Sequence, residues 1–231
     1  METEDTTALA PPPAPTKKPP VPRADQDQLI ANRIADTRRK ITAVLTDDAL
    51  KARFAARGCD LAELNEGIAH CDATQAGYDA RQVALGTEKA GYQALSDSRA
   101  AARAAHTDLR STIKLAFPRD KVAQQTLGAT GRVPLDDDKF LTAARAAGHA
   151  ATQEPYAATL TKRGHNALAY AATLSAFDTK RNTARAAADV AVAATATRDS
   201  ADTALQTWLL TFEGIIALEL KRDPHLATRL A

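Results

Sequence analysis

From Asp25 onward the apolar residues return at helical intervals. Ile30, Ile34, Ile41 and Leu45 fall at steps of four, seven and four, which places them on one helix face. Thr46, Asp47 and Asp48 then supply an N-cap that restarts a short helix bearing Leu50 and Phe54 and stopping at Gly58. Asp60 with Glu63 three residues on has capping-box spacing and opens a longer run. Its apolar face carries Leu61, Leu64, Ile68, Cys71, Tyr78, Leu85 and Tyr92, then drifts to Leu95, Ala102, Leu109, Ile113 and Phe117.

Most of this pattern occurs twice. Thr46, Arg57, Gly58 and Asp72 recur 106 positions later as Thr152, Arg163, Gly164 and Asp178. Farther on the offset is 103, matching Ile113, Leu115, Arg119, Asp120 and Leu127 to Ile216, Leu218, Arg222, Asp223 and Leu230. A self-match of this length predicts two tandem units before any single residue is interpreted. In the second unit Asn166 takes the capping place of Asp60, and Pro155 suits a first-turn position.

No proline interrupts Leu61 to Phe117 or Ala167 to Asp223, so each stretch predicts one helix. Its length is about 55 residues, or roughly 80 Å at the usual helical rise. The three-residue change of offset keeps a second reading open, a fold-back near residues 86–91 and 197–200, because loops take insertions more easily than packed helices. The run Gly128-Ala129-Thr130-Gly131-Arg132-Val133-Pro134 is the clearest loop, and Asp136, Asp137 and Asp138 favour the helix start after it.

The expected organisation is a Pro-rich tail over residues 1–24, a first helical repeat over 25–127, a loop over 128–136 and a second repeat over 137–231. The tail concentrates Pro11, Pro12, Pro13, Pro15, Pro19, Pro20 and Pro22, which excludes a helix and predicts disorder or polyproline II. Such a segment, with Lys17, Lys18 and Arg23, can dock a partner's aromatic groove.

Composition sharpens the fold and narrows the function. The chain has 231 residues, 45% hydrophobic but only 4% aromatic, so its core must be built from Ala, Leu, Ile and Val. Ala is the strongest helix former, and the expected fold is an all-α, elongated helical bundle. Thirty basic against 28 acidic residues leave a net charge of +2, which argues against a dedicated nucleic-acid binder. Cys59 and Cys71 stand twelve positions apart, roughly 18 Å of helical rise, too far for a disulfide. A cytoplasmic protein is expected, because the acidic N-terminus lacks an apolar signal segment and no stretch is long enough to span a bilayer.

The Ala204-Leu205-Gln206-Thr207-Trp208-Leu209-Leu210-Thr211-Phe212 segment, the Arg222-Asp223-Pro224 ending and the Gly58 and Gly164 turns carry a resemblance. Over residues 25–231 the chain resembles a group of uncharacterised bacterial Ala-rich helical proteins with two copies of a short-helix, long-helix unit. The resemblance implies an all-helical fold and brings no activity, ligand or catalytic residue with it. The first copy departs from it, with Ala105 where the second has Trp208.

Candidate chemistry is sparse. Glu63, Glu66 and His70 form the best metal-like cluster, since Glu66 and His70 lie one helical turn apart. The second copy has Ala172 and Ala176 in place of Glu66 and His70, which removes the paired Glu and His ligands of a di-metal bundle. Arg99, Arg103, Arg110 and Lys114 share one helix face near His106 and are the candidate polyanion contact. Trp208, Phe212, Ile215 and Ile216 make the densest apolar patch, either core or a self-association seam. Cys71 lies on the apolar stripe, and Cys59 is expected to be exposed beside Gly58. No phosphate loop or nucleophile elbow occurs.

The expected function is therefore non-enzymatic and cofactor-free: a helical scaffold, self-assembling subunit or partner-binding bundle, forming a homo-oligomer or engaging a protein partner. The alternatives are a small-molecule- or metal-binding bundle and a polyanion-binding protein.

Overall fold

A computed structural model describes residues 23–230, and all the regular structure among them is helical. Helix α1 spans Arg23–Thr46, α2 Asp48–Ala55, α3 Leu61–Ala116 and α4 Lys121–Thr126. After the loop come α5 Asp137–Ala151, α6 Ala157–Lys162, α7 Ala167–Arg222 and α8 Leu226–Leu230. The Pro-rich stretch up to Pro22 lies outside the described residues, while Arg23 and Ala24 already belong to α1. No helix among the described residues is long and apolar enough to cross a membrane.

Helices α3 and α7 each run unbroken for 56 residues. The fold-back near residues 86–91 and 197–200 does not occur. Helix propensity explains this: that part of α7 has no Gly or Pro, and the two glycines in α3, Gly86 and Gly91, cost only about 1 kcal/mol each against alanine.

The short helices end in matched turns. At Gly58 the Cys59 amide donates to the Phe54 carbonyl at 3.0 Å and the Gly58 amide to Ala55 at 3.0 Å. At Gly164 the same pair runs from His165 to Leu160 and from Gly164 to Thr161, both 3.0 Å. This Schellman geometry needs a left-handed residue, and the glycines supply φ of 84° and 90°. The α2 cap is displaced by one residue from expectation. Asp47 accepts from the Ala49 and Leu50 amides at 3.0 and 3.2 Å, while Thr46 closes α1 by donating to the Thr42 carbonyl. An ionised carboxylate is a stronger acceptor than a hydroxyl, so Asp47 wins the cap. Asp60 and Asn166 cap α3 and α7 as expected, Asp60 accepting from Ala62 and Glu63, Asn166 from Ala169. Pro155 stands in the turn before α6 and not in its first turn.

The described residues form two compact units, and neither coincides with a sequence repeat. The first gathers α1, α2, α3 up to Cys71, α7 from Leu209, and α8. Its core holds Ile34, Ile41, Leu50, Phe54, Leu64 and Phe212, with the Phe54 and Phe212 rings 5.7 Å apart. Ion pairs tie α1 and α2 to the chain's last turns: Lys40 to Glu213, Arg53 to Asp223, Arg57 to Glu219, and Arg229 to Asp47.

The second unit runs from Asp72 to Trp208. Within it α3 and α7 are antiparallel, since Thr74 meets Ala201, Gly77 meets Arg198, Gly91 meets Ala184 and His106 meets Tyr170. Its core joins Leu109, Ile113 and Leu127 to Phe140, Leu160, Leu174 and Phe177.

The continuity of α3 gives a direct expectation. In hydrogen-exchange mass spectrometry, amides 84–94 should exchange no faster than those in the neighbouring turns of the same helix.

Candidate functional site

The basic stripe is the sequence candidate that the structure most clearly explains. Arg99 holds Asp137 through its Nε at 3.1 Å and its Nη2 at 2.5 Å. Arg103 donates to the carbonyls of Pro134 and Leu135 at 3.0 and 2.7 Å, with its guanidinium 4.6 Å from the Phe140 ring centroid. Arg110 donates to Ala129 and Gly131 at 3.1 and 2.6 Å. A loop without secondary structure leaves carbonyls in need of donors, and the fork of an arginine can reach two at once. Arg103 and Arg110 therefore clasp the connecting loop to α3, and Arg99 holds the first residue of α5. Lys114 is exposed.

Behind this clasp lies a buried polar pair. His106 Nδ1 is 2.9 Å from the Tyr170 hydroxyl, which lies 3.0 Å from the Ala144 carbonyl. The phenol has one proton and gives it to that carbonyl, so His106 carries its proton on Nδ1 and donates to the phenolic oxygen. The Phe140 ring meets His106 edge-on at 5.6 Å, and His165 lies against Tyr170 at 5.8 Å. Burial, then Arg110 and Arg103, push the His106 pKa below its ordinary value. Burial does the same to His165 against an opposing pull from Asp108, and burial raises the Tyr170 phenol. Neutral rings and a protonated phenol suit packing and hydrogen bonding.

The candidate metal residues do not converge. His70 Nε2 and Glu66 Oε1 are 3.5 Å apart on the face of α3, and Glu63 lies in its exposed first turn. Among the described residues, no three His, Cys, Asp or Glu side chains gather as a metal site.

The apolar patch near the end of α7 is mostly interior. Phe212, Ile215 and Ile216 are buried, and Trp208 is half-buried. That burial makes these residues core and leaves no open seam along them.

Cys59 is buried, contrary to the exposure expected beside a turn. The Schellman bond from its own amide folds it back over α2. Burial, helped by Glu63 and Asp60, raises its thiol to about 11, which removes the thiolate that a nucleophile would need. Cys71 is buried on the apolar stripe.

Sequence reasoning missed the His106–Tyr170 pair. The two residues are 64 apart in the chain and share no motif. The one available signal was a mismatch between the repeats, because the matched position of Tyr170 is Leu64 and that of His106 is Leu209. Comparison with protein-family models, with curated proteins and with solved structures finds no match to this chain.

Two outcomes follow from this geometry. Arg103→Gln should cost about 2 kcal/mol in urea unfolding, from charge-assisted bonds and the ring contact together, while leaving heparin retention unchanged. Stability should also depend on pH in a defined window. The folded state holds His106 and His165 below the ordinary histidine value, so the unfolded chain binds protons first as pH falls. The histidine contribution is therefore complete above about pH 6.5 and is lost progressively below it. The melting temperature should drop between pH 7.5 and 5.5, and the drop should shrink in His106→Gln.

Proposed function

We propose that this protein is a non-enzymatic structural protein, a cytoplasmic helical scaffold of two tandem duplicated units that assembles with copies of itself. One observation carries the reading. The middle of α3 and α7 turns large apolar side chains outward: Val83 is 71% exposed, Tyr92 51%, Val190 59% and Val192 71%. On α3, Tyr78, Leu85 and Tyr92 recur every seven residues, the spacing with which one helix meets another. Leu85 and Tyr92 border a shallow surface groove with Glu88, Lys89 and Gln93. Adjacent charges of opposite sign suit a two-fold contact, in which Glu88 of one copy faces Lys89 of the next.

The alternatives have less support. The arginines of the polyanion reading are engaged with the loop, and the metal reading has one solvated Glu–His pair. The self-association surface differs from the one expected at Trp208 and Phe212, whose neighbours are buried. The reduced Cys59 fits a reducing compartment.

The test is sedimentation velocity over a concentration series. The wild type should show a rising weight-average mass. Tyr92→Glu should remain monomeric at the highest concentration with an unchanged melting temperature. A wild type that stays monomeric throughout overturns the proposal.

A further inference from the structure

The two repeats differ most usefully where α5 lies along α7. There the second unit contains a cleft of about 320 Å³ lined by Arg145, Gly148, His149, Ala171, Leu174 and Ser175, with Thr152, Ala167 and the Tyr170 ring completing its wall. This volume falls at the small end of ligand pockets, about 300 Å³ and upward.

The cleft arises from lost side chains. At the matched positions the first repeat holds Thr42, Leu61 and Asn65 where the second holds Gly148, Ala167 and Ala171. Gly148 is forced by its neighbour, because an added Cβ would lie 2.6 Å from Tyr170 Cε1. Ala167 and Ala171 have no such reason. Ala171 is exposed and Ala167 half-exposed, so larger residues would fit there without touching the core. The second repeat also replaces Ala43 with His149 and Ala69 with Ser175 at the rim.

Shape and charge identify the occupant. Ala167 and Ala171, four apart on one helix, line the cleft together with Tyr170, and these small and aromatic side chains suit a planar apolar body. The rim carries Arg145 and His149 and no carboxylate among the lining residues. Arg145 Nη2 bonds Asp178 at 2.7 Å, and this uses one of the guanidinium's five donors. The guanidinium fork matches a carboxylate. We infer that the α5–α7 cleft binds a small aromatic carboxylate, its ring along Ala167, Ala171 and Tyr170 and its carboxylate at Arg145 and His149. This site is independent of the proposed self-association surface.

The test uses 2-naphthoate as probe, followed by fluorescence titration and saturation-transfer NMR on the full chain. The wild type should bind one equivalent saturably and bind 2-naphthamide about tenfold more weakly, because the amide lacks the charge. Ala167→Leu with Ala171→Asn restores the first repeat's residues. This pair should weaken 2-naphthoate at least about tenfold at an unchanged melting temperature. Ser175→Leu closes the opposite rim on an exposed position and should act alike, which guards against misfolding of the double variant. Arg145→Gln should bring the carboxylate and amide affinities together. Absence of saturable binding by the wild type overturns the site, as does full binding by folded variants with the cleft closed. Equal binding of acid and amide by the wild type overturns the carboxylate assignment.

Discussion

The close approach of α3 and α7 within the second unit sets the terms for the rest of that structure. A Cβ at Gly77 would stand 3.1 Å from the Arg198 Cα, and one at Gly91 would stand 3.4 Å from the Ala184 Cα. Ala84, Ala184, Ala187 and Ala191 are among the buried residues around these contacts. Small side chains let two helix backbones come together at the short end of the usual 8–10 Å separation. The larger side chains buried along this stretch, Arg81 and Arg198, lie beside the close contacts, which are left to glycine and alanine. Val83, Val190 and Val192 are left on the outside, and the bulky buried residues gather where other helices dock. Phe140, Phe177 and Tyr170 fill the second unit beside α5, while Phe54 and Phe212 meet in the first.

A seam of methyl groups carries little information about register. One alanine fits the place of another, so along the alanine stretches register is held mainly where Gly77 and Gly91 meet the facing backbone. Polar contacts with single partners supply what shape does not. Thr74 Oγ1 donates to the Ala201 carbonyl at 3.2 Å, and the chain from His106 through Tyr170 to Ala144 is satisfied at one alignment. In the first unit Arg57 Nε donates to Glu219 at 3.1 Å, with the Glu219 side chain only 5% exposed. Breaking a buried ion pair by removing one partner costs about 3–5 kcal/mol, since the other charge is left stranded. A misaligned docking of α2 takes Arg57 away and leaves Glu219 only the Arg222 guanidinium at 3.9 Å, so it incurs part of that cost. The few buried charges thus specify position more than they add stability.

This division also separates what was legible in the sequence from what was not. Helix length, the capping roles of Asp60 and Asn166, and the turns at Gly58 and Gly164 depend on residues within a turn of each other, so local chemistry reveals them. The place of Cys71 on a buried face follows from periodicity for the same reason. The roles of Arg99, Arg103 and Arg110 depend on a carboxylate and backbone carbonyls 19 to 38 residues away, and a stripe of cations looks the same in sequence whether it meets solvent, a polyanion or a loop. The units themselves were hidden as well. Repeats are read along the chain, whereas the first unit joins α1 and α2 to α8 and the end of α7.

The shift of offset from 106 to 103 shows how the fold tolerates a change that sequence logic assigns to a loop. Before the shift, Leu64 and Cys71 match Tyr170 and Phe177, all buried. After it, Ala102, Leu109 and Ile113 match Leu205, Phe212 and Ile216, again all buried. Removing three residues turns a helix by about 300°, which is 60° short of a full turn. The face nearly returns, and the remainder is spread over the central stretch, where α3 buries no residue between Ala84 and Leu95. Both helices keep the same length, with α7 running six residues past Ile216 where α3 runs three past Ile113. The cost appears at the matched Arg-Asp pairs. Asp120 caps α4 by accepting from Ala123 at 2.8 Å, but its counterpart Asp223 accepts from Arg53 and from the His225 amide. Residues that match in sequence thus acquire different partners, because each helix conserves its buried face and lets its terminus move.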